Sequence, residues 1–263
     1  MARYFTAASS QRLVATGIAF RQDSAITMAL WAKRDAAVFQ WLMKYYHSGG
    51  TSNHHMIGFR NTAVYRARSN GSAIATAETS GTNDDGRWHH VAGVFTSGSL
   101  RYSFADGVTA GADTGSVTTA GLNSISIGAQ EDGSDAYEGA LAETAIWRTA
   151  LSATELRNLA GGISALFVRP DKLAFYAPLW GAEDFDIVGG VSLSSSGSGS
   201  PGVRAHPRIV YPAGFEVRSV GRSVVKPSQI GEQRRRNFFS VSPGGVPAPR
   251  RVLIDDATLV LRS

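Results

Sequence analysis

Four carboxylates lie close together in one Gly- and Ser-containing stretch of this sequence: Glu131, Asp132, Asp135 and Glu138. Carboxylate oxygens spaced along a turn are the hard ligands that calcium takes in proteins, so Glu131, Asp132 and Asp135 are a candidate calcium site. Glycoside hydrolysis instead needs two carboxyl groups facing each other across the scissile bond. The chain has no Glu-x-Asp-x-x-Glu run that would place such a pair on one strand face. We therefore expect no catalytic residues, and a solvated loop is the simpler interpretation of the cluster.

Two histidine pairs, His54-His55 and His89-His90, raise the question of a metal centre. Adjacent residues on a strand point to opposite faces, so neither pair can chelate an ion from one side. The chain has no cysteine to complete a zinc site, to act as a thiol nucleophile or to form a disulfide. We assign the histidines to packing and surface hydrogen bonds. Calcium is the one cofactor that the sequence suggests.

Three aromatic residues in one apolar run, Trp41, Tyr45 and Tyr46, have flat rings that could stack on a sugar. Burial in a core or at an interface is the alternative for such residues. The sequence leaves both interpretations open, and it makes these three the candidate glycan-binding residues.

The C-terminal part of the chain combines Arg234, Arg235 and Arg236 with Phe238 and Phe239. Phenylalanine gains nothing from exposure to water, whereas both residue types suit docking on a protein surface, with aromatic anchors and bidentate arginine contacts to carboxylates. Nucleic acid would also attract the arginines, but no nucleic-acid-binding motif is present and we do not expect nucleic acid as a partner.

The charge of the chain is concentrated in the same region. Residues 214–263 contain nine basic and four acidic residues, an excess that equals the whole net charge of +5, so residues 1–213 are neutral. Four prolines and little apolar periodicity predict an extended arm, with short strands near its end that contain Leu253 and Leu259. We expect this arm to bind a partner and to gain order on contact, with a terminal run adding a strand to an exposed sheet edge.

The rest of the chain predicts an all-β body. With 43% hydrophobic residues it can bury a core, and short alternating runs are separated by Gly, Ser, Asn and Asp. Ser152-Ala153-Thr154-Glu155 has the form of a capping box, and Leu151 can pack on Leu156, so we expect one short helix over residues 153–160. We divide the chain into a sandwich (1–190), a Ser/Gly/Pro-rich linker (191–213) and the arm (214–263). The candidate strand segments are 26–31, 38–43, 56–59, 63–66, 88–95, 100–104, 124–128, 141–147 and 173–179.

Four motifs in this order resemble the laminin-G-like jelly roll of the concanavalin A-like lectin/glucanase superfamily, over about residues 3–180. They are Ala29-Leu30-Trp31-Ala32-Lys33; the segment 86–95 with Tyr102 and Asp106-Gly107; Ser126-Ile127-Gly128 with the segment 137–143; and the strand-to-helix ending 146–156. The resemblance implies two antiparallel sheets packed face to face. Their period-2 neighbours lead us to expect that Trp31, Trp88, Phe95 and Trp147 are largely buried.

Chains of this build, with a proline-rich tail after a stretch like His206–Pro212, are similar to virion proteins of tailed bacteriophages. The resemblance implies a non-enzymatic virion structural protein, as a capsid decoration, head fibre or tail-associated protein, whose body is displayed outside and whose arm anchors it to capsid or tail subunits. The alternative is a carbohydrate-binding, lectin-like adhesin module that attaches to surface glycans. No signal peptide or membrane span is evident in the sequence, so we expect synthesis in a host cytoplasm. The virion role implies self-association and localisation in the virion.

Overall fold

The computed structural model describes residues 1–18, 25–36, 39–50, 52–60, 64–79, 85–180 and 184–210, together with the strands at 216–220, 251–255 and 258–262. The strands are β1 (Ala2–Phe5), β2 (Arg12–Thr16), β3 (Ile26–Arg34), β4 (Gln40–Tyr46), β5 (His54–Phe59), β6 (Tyr65–Asn70), β7 (Ile74–Glu78), β8 (Trp88–Ser97), β9 (Leu100–Ala105), β10 (Val108–Asp113), β11 (Ser124–Ile127), β12 (Gly139–Trp147), β13 (Leu173–Ala177), β14 (Ser194–Ser196), β15 (Gly202–Arg204), β16 (Glu216–Val220), β17 (Arg251–Asp255) and β18 (Thr258–Arg262). One α-helix, α1 (Ala153–Ala160), and short 3-10 turns at Ala7–Ser9 and Ala165–Phe167 complete the described elements.

Two antiparallel sheets form a sandwich. The eight-stranded sheet has the order β10-β9-β8-β3-β12-β1-β15, and β13 pairs with the second half of β12. The seven-stranded sheet has the order β14-β2-β11-β4-β5-β6-β7. The predicted all-β jelly-roll sandwich with one short helix is therefore confirmed.

The core lies between the two sheets and follows the period-2 pattern of the strands. In β3, Ile26, Met28 and Leu30 point into the core, as predicted, while the residues between them face the other side of the sheet. The seven-stranded sheet contributes Ile57, Phe59 and other residues from its inner face. Each sheet therefore has an inner face that lies in the core and an outer face that points away from it.

Helix α1 covers part of the outer face of the eight-stranded sheet. Its start has the predicted capping box: Glu155 N–H donates to the Ser152 hydroxyl, and Ser152 N–H donates to the Glu155 carboxylate at 2.7 Å. Gly162 takes the left-handed conformation (φ 89°) after the helix, which an L side chain rarely adopts. Leu156 and Leu159 are buried against the sheet in a second apolar cluster that also contains Trp147. The helix thus forms a third layer over one end of the sandwich.

The segment predicted to be a linker is part of the sandwich. Residues 194–196 form β14 on the edge of the seven-stranded sheet, and residues 202–204 form β15 on the edge of the eight-stranded sheet. Serine and glycine do not prevent this pairing, because strand addition at an edge uses backbone hydrogen bonds and needs no apolar side chains. After β15 the chain crosses the outer face of the sheet, where Val210 N–H donates to Gly162 carbonyl oxygen at 2.6 Å.

The late apolar runs form strands as predicted, but they pair with each other. β16 and β17 are parallel, β17 and β18 form an antiparallel hairpin, and the three make a separate sheet. No helix within the described residues is both long and apolar enough to cross a membrane.

Candidate functional site

The three aromatic residues that the sequence offers for glycan stacking are buried. Tyr45 has no exposed surface, and its hydroxyl donates to Leu122 carbonyl oxygen at 2.9 Å within the core. Trp41 is 1% and Tyr46 6% exposed on the opposite face of β4. A sugar ring has no access to these side chains, so core burial, the alternative interpretation, is the one that the structure favours.

The acidic loop uses its carboxylates within the protein. Glu131 forms an ion pair with Lys44, whose side chain is 1% exposed on the outer face of the seven-stranded sheet. The Asp132 carboxylate accepts hydrogen bonds from the Ser134 amide and hydroxyl at 2.9 and 2.7 Å, and Asp135 accepts one from Gln130. The loop folds back over the sheet and offsets the charge of a buried lysine, an arrangement that leaves the calcium prediction without support.

The histidine pairs are split between faces, as the strand geometry predicts. His89 faces one side, where its ring nitrogens contact Asp106 at 2.7 Å and Asp85 at 2.9 Å. These contacts raise the pKa of His89, with the Asp106 hydrogen bond as the main cause. His90 faces the other side. Across the described residues, no group of three or more His, Cys, Asp or Glu side chains is placed to hold a metal ion.

The predicted partner-binding residues of the arm lie outside the range in which side chains are described. Arg234, Arg235, Arg236, Phe238 and Phe239 fall within residues 221–250. Leu253 pairs in register with Val260, and Leu259 with Ile254, in the hairpin of β17 and β18. Their roles in binding remain predictions.

The exposed end of the eight-stranded sheet holds an aromatic patch that the sequence does not single out. Trp31 lies directly opposite His90 across β3 and β8, and Lys33 lies opposite Trp88. Trp31 and Trp88 are therefore diagonal neighbours on the same outer face, about 7–8 Å apart by cross-strand geometry. Both are half-buried, as is Lys33. We call Trp31, Lys33, Trp88 and the adjoining Tyr4 the outer-face patch.

His90 supports the patch from within the sheet. Its ring is 2% exposed and meets the Trp31 ring edge-on, with centroids 5.6 Å apart. Burial lowers the pKa of His90 to about 4, which outweighs the opposite effect of Asp106. The ring is thus uncharged at neutral pH, and it fixes the orientation of Trp31 without placing a charge beneath the patch.

Tyr4 forms the rim of the patch two strands away. Its hydroxyl donates to Glu138 at 2.9 Å, and the guanidinium of Arg204 lies over its ring at 4.3 Å from the centroid. Burial and the Glu138 carboxylate raise the pKa of Tyr4 to about 12. Between Tyr4 and Lys33 lies Ala140, whose small side chain adds nothing above the sheet. The patch therefore combines flat aromatic rings and an ammonium group with a shallow depression above Ala140.

The expected burial of four aromatic residues is correct for Phe95 and Trp147, which are 3% and 0% exposed. It is wrong for Trp31 and Trp88, which are half-buried. A signal was present: in β3, strict alternation places Trp31 with Thr27 and Lys33, on the face opposite Ile26, Met28 and Leu30. The expectation rested on apolar neighbours at period 2, whereas the parity of Trp31 along β3 places it on the outer face.

Two antiparallel sheets packed face to face, with one short helix after β12, form a jelly-roll sandwich of the concanavalin A-like class. The chain belongs to the Laminin_G_3 family of the concanavalin A-like lectin/glucanases superfamily, whose model matches residues 7–157. This confirms the resemblance that the sequence motifs indicate. No curated protein matches the chain.

Several solved structures are similar to this chain at low sequence identity. A protein from Bacteroides ovatus ATCC 8483 that is described as carbohydrate-binding is 14% identical with a TM-score of 0.51; the match covers 76% of this chain and 60% of that one. The heptameric SAP-like pentraxin from Limulus polyphemus is 12% identical with a TM-score of 0.47, over 72% of this chain and 96% of that one. The CBM40 module of a Ruminococcus gnavus sialidase, bound to sialyllactose, is 14% identical with a TM-score of 0.46, over 61% and 98%.

Proposed function

We propose that this chain is a non-enzymatic carbohydrate-binding module and that the outer-face patch holds the sugar. The observation that carries the proposal is the pair of half-buried tryptophans, Trp31 and Trp88, on adjacent strands of one outer face. The family, which includes lectins, and the fold shared with the Bacteroides ovatus protein support it. The match to this chain spans 60% of the length of the Bacteroides ovatus protein.

The chemistry of the patch fits a sugar. One face of a pyranose ring is lined by C–H groups, which pack on the flat face of an indole, and large rigid aromatic residues dominate binding energy in such contacts. Lys33 has no ion pair among the described residues, so its ammonium group is free to donate hydrogen bonds to sugar hydroxyls. Since His90 is neutral, binding of an uncharged sugar meets no unfavourable buried charge.

A binding role is favoured over hydrolysis at this patch. Hydrolysis requires two free carboxyl groups about 5–9.5 Å apart, one on each side of the bond. Glu138, the carboxylate next to Tyr4, already accepts hydrogen bonds from the Tyr4 hydroxyl and the Ala7 amide at 2.9 and 2.7 Å. The Asp106 carboxylate is likewise occupied, by His89 and the His90 amide.

Replacement of either tryptophan by alanine is expected to weaken glycan binding by about tenfold or more, because an aromatic anchor contributes roughly 1–2 kcal/mol or more. A glycan array identifies the ligand, and titration calorimetry then compares the wild type with Trp31→Ala and Trp88→Ala. Phe167→Ala is the matched control, since Phe167 is 38% exposed but lies by the helix layer, away from the patch. Equal affinity in all four proteins would place the sugar elsewhere, and no saturable binding to any glycan would contradict the proposed function.

A second candidate is the bacteriophage virion role, in which the arm anchors the sandwich to capsid or tail subunits. It is supported by the confinement of the net charge of +5 to residues 214–263. Deletion of these residues is expected to leave a folded body that no longer joins its assembly, which co-sedimentation with particles measures. Undiminished assembly of residues 1–213 would show that the arm is not the anchor. The two roles are compatible, since a displayed module can bind glycans.

A further inference from the structure

Two arginines project from the outer face of the seven-stranded sheet. In β6 the buried residues Tyr65, Ala67 and Ser69 alternate with Arg66 and Arg68, which are half-buried. The guanidinium carbons of both arginines lie near the same indole, 5.8 and 5.5 Å from the ring centroid of Trp41. Two positive charges are thus held on one aromatic side chain.

Trp41 cannot withdraw from the arginines. Its ring lies against the backbone of Gly58, where an added Cβ would be 2.4 Å from the ring carbon Cε3. The Phe39 ring meets the indole edge-on, with centroids 5.1 Å apart. The ring therefore gives the two guanidinium groups a fixed wall, which limits their loss of freedom when they bind a ligand.

The charges of the two arginines are not balanced. Arg66 donates to Glu78 at 2.8 Å, and Glu78 also pairs with Arg60 at 3.2 Å, so one carboxylate serves two cations. Arg68 has no ion pair within the part of the chain that the structure describes; its Nε donates to the Thr76 hydroxyl at 3.3 Å. Burial, and then the positive charge of Arg66, lowers the pKa of Arg68, against smaller opposing effects of Glu78 and Asp135.

Arg66 also has an unused donor. Its Nε is buried and has no hydrogen-bond partner among the described residues, and the whole side chain is only 11% exposed. A buried donor without a partner costs about 1–3 kcal/mol, more when the group is charged. Cation–aromatic stacking explains where the two arginines lie. It explains neither the excess positive charge nor the unmet donor, and an anion between them would answer both.

We propose that Arg66 and Arg68 form an oxyanion-binding site on the outer face of the seven-stranded sheet, which takes the carboxylate or sulfate group of an acidic sugar. The preference for an oxyanion follows from the arginines, whose planar groups bind such anions through paired N–H donors. That a sugar carries the anion rests on the carbohydrate-binding function proposed above. The site is distinct from the outer-face patch, which lies on the other sheet.

Three matched monosaccharides test the site: glucose, glucuronate and glucose 6-sulfate. Titration of the 15N-labelled full chain, followed on the arginine Nε–H signals, is expected to show saturable shifts with the two anions and none with glucose. A response to one anion alone separates carboxylate from sulfate as the natural group. High salt is expected to weaken the binding, because salt ions screen charges that are partly exposed to solvent.

Arg68→Gln is expected to weaken anion binding by about tenfold or more, since a charge-assisted hydrogen bond contributes roughly 1.5–3 kcal/mol. Arg60→Gln is the matched control, because Arg60 pairs with the same Glu78 but is 54% exposed, and its affinity is expected to stay within about twofold of the wild type. Arg68→Gln removes a like-charge contact and is expected to fold, which circular dichroism verifies.

Equal affinity in Arg68→Gln and the wild type, or shifts that never saturate, would overturn the oxyanion site. The failure of this site is distinguishable from the failure of the proposed function. Glycan binding that depends on Trp31 and Trp88 but no anion binding would leave the function standing and remove the second site. Anion binding with no glycan bound at the outer-face patch would do the reverse.

Discussion

Replacing Trp147 with alanine is expected to lower the free energy of unfolding by about 3–5 kcal/mol, the range for emptying a large buried aromatic site. Trp147 is fully buried between the eight-stranded sheet and the helix layer, in a cluster with Leu156, Leu159 and Leu173. Its indole N–H donates to Val168 carbonyl oxygen at 2.6 Å. Alanine therefore leaves both a cavity and a buried acceptor that has lost its donor.

Urea unfolding followed by circular dichroism measures this loss, with the slope of the transition as a check that the unfolded state is unchanged. Trp88→Ala is the matched comparison. Because Trp88 is half-buried, its replacement is expected to lower the free energy of unfolding by less than about 2 kcal/mol, below the value that full burial would imply. Equal losses for Trp147 and Trp88 would contradict the distinction between a buried layer and an exposed patch.

Acidification from pH 6.5 to pH 4 is expected to lower the free energy of unfolding by about 3 kcal/mol through His90 alone. The pKa of this buried histidine is about 4 in the folded protein, against 6.5 for a free side chain. Between these values the unfolded chain binds a proton that the folded chain does not, so stability falls as the pH falls. Below about pH 4 both states are protonated and the contribution of His90 stops changing.

His55 acts in the same direction, since burial lowers its pKa to about 3. His89 acts in the opposite direction. Its pKa is raised, so its stabilisation is present below pH 6.5 and is lost as the pH rises through the folded value. The net curve is therefore the sum of opposing histidines, and a single variant is needed to isolate His90.

Urea unfolding at a series of pH values, for the wild type and for His90→Leu, separates the contributions. The variant removes the titrating group and keeps a side chain of similar volume, so its curve is expected to be flatter by about 3 kcal/mol across the window. His89→Gln serves as the control and is expected to keep the steep decline below pH 6.5. An unchanged slope in His90→Leu would show that His90 is not the group responsible.

The local signals in the sequence were sufficient for part of the fold. The capping box at Ser152 and Glu155 fixed the start of the helix, because both hydrogen bonds form within four residues. Strands with regular alternation, such as β3 and β9, were also recognisable. In contrast, β14 is a run of three serines. It becomes a strand because β2 offers a backbone edge 180 residues earlier in the chain, and no local pattern reports such a distant partner.

The candidate sites were harder to predict, for a related reason. Trp41 looked suited to stack on a sugar, yet Gly58 on the neighbouring strand lets its ring lie flat and buried. Glu131 looked like a calcium ligand, yet Lys44 from another strand takes its charge. Both outcomes depend on which strands become neighbours in the sheet. The composition of a single segment does not reveal those neighbours. Parity along β3 and β6 was the usable signal for Trp31, Arg66 and Arg68.

The double edge contributed by residues 194–204 has a practical consequence for any shortened version of the protein. β14 and β15 each cap one sheet beside strands from the extreme N-terminal region, β2 and β1. A protein fragment that ends at residue 190 would lack both edge strands. The backbone amide and carbonyl groups of β1 and β2 that face these strands would then be unpaired, which favours strand pairing between molecules and precipitation. Recombinant versions need to extend to residue 210, where the chain rejoins the helix layer.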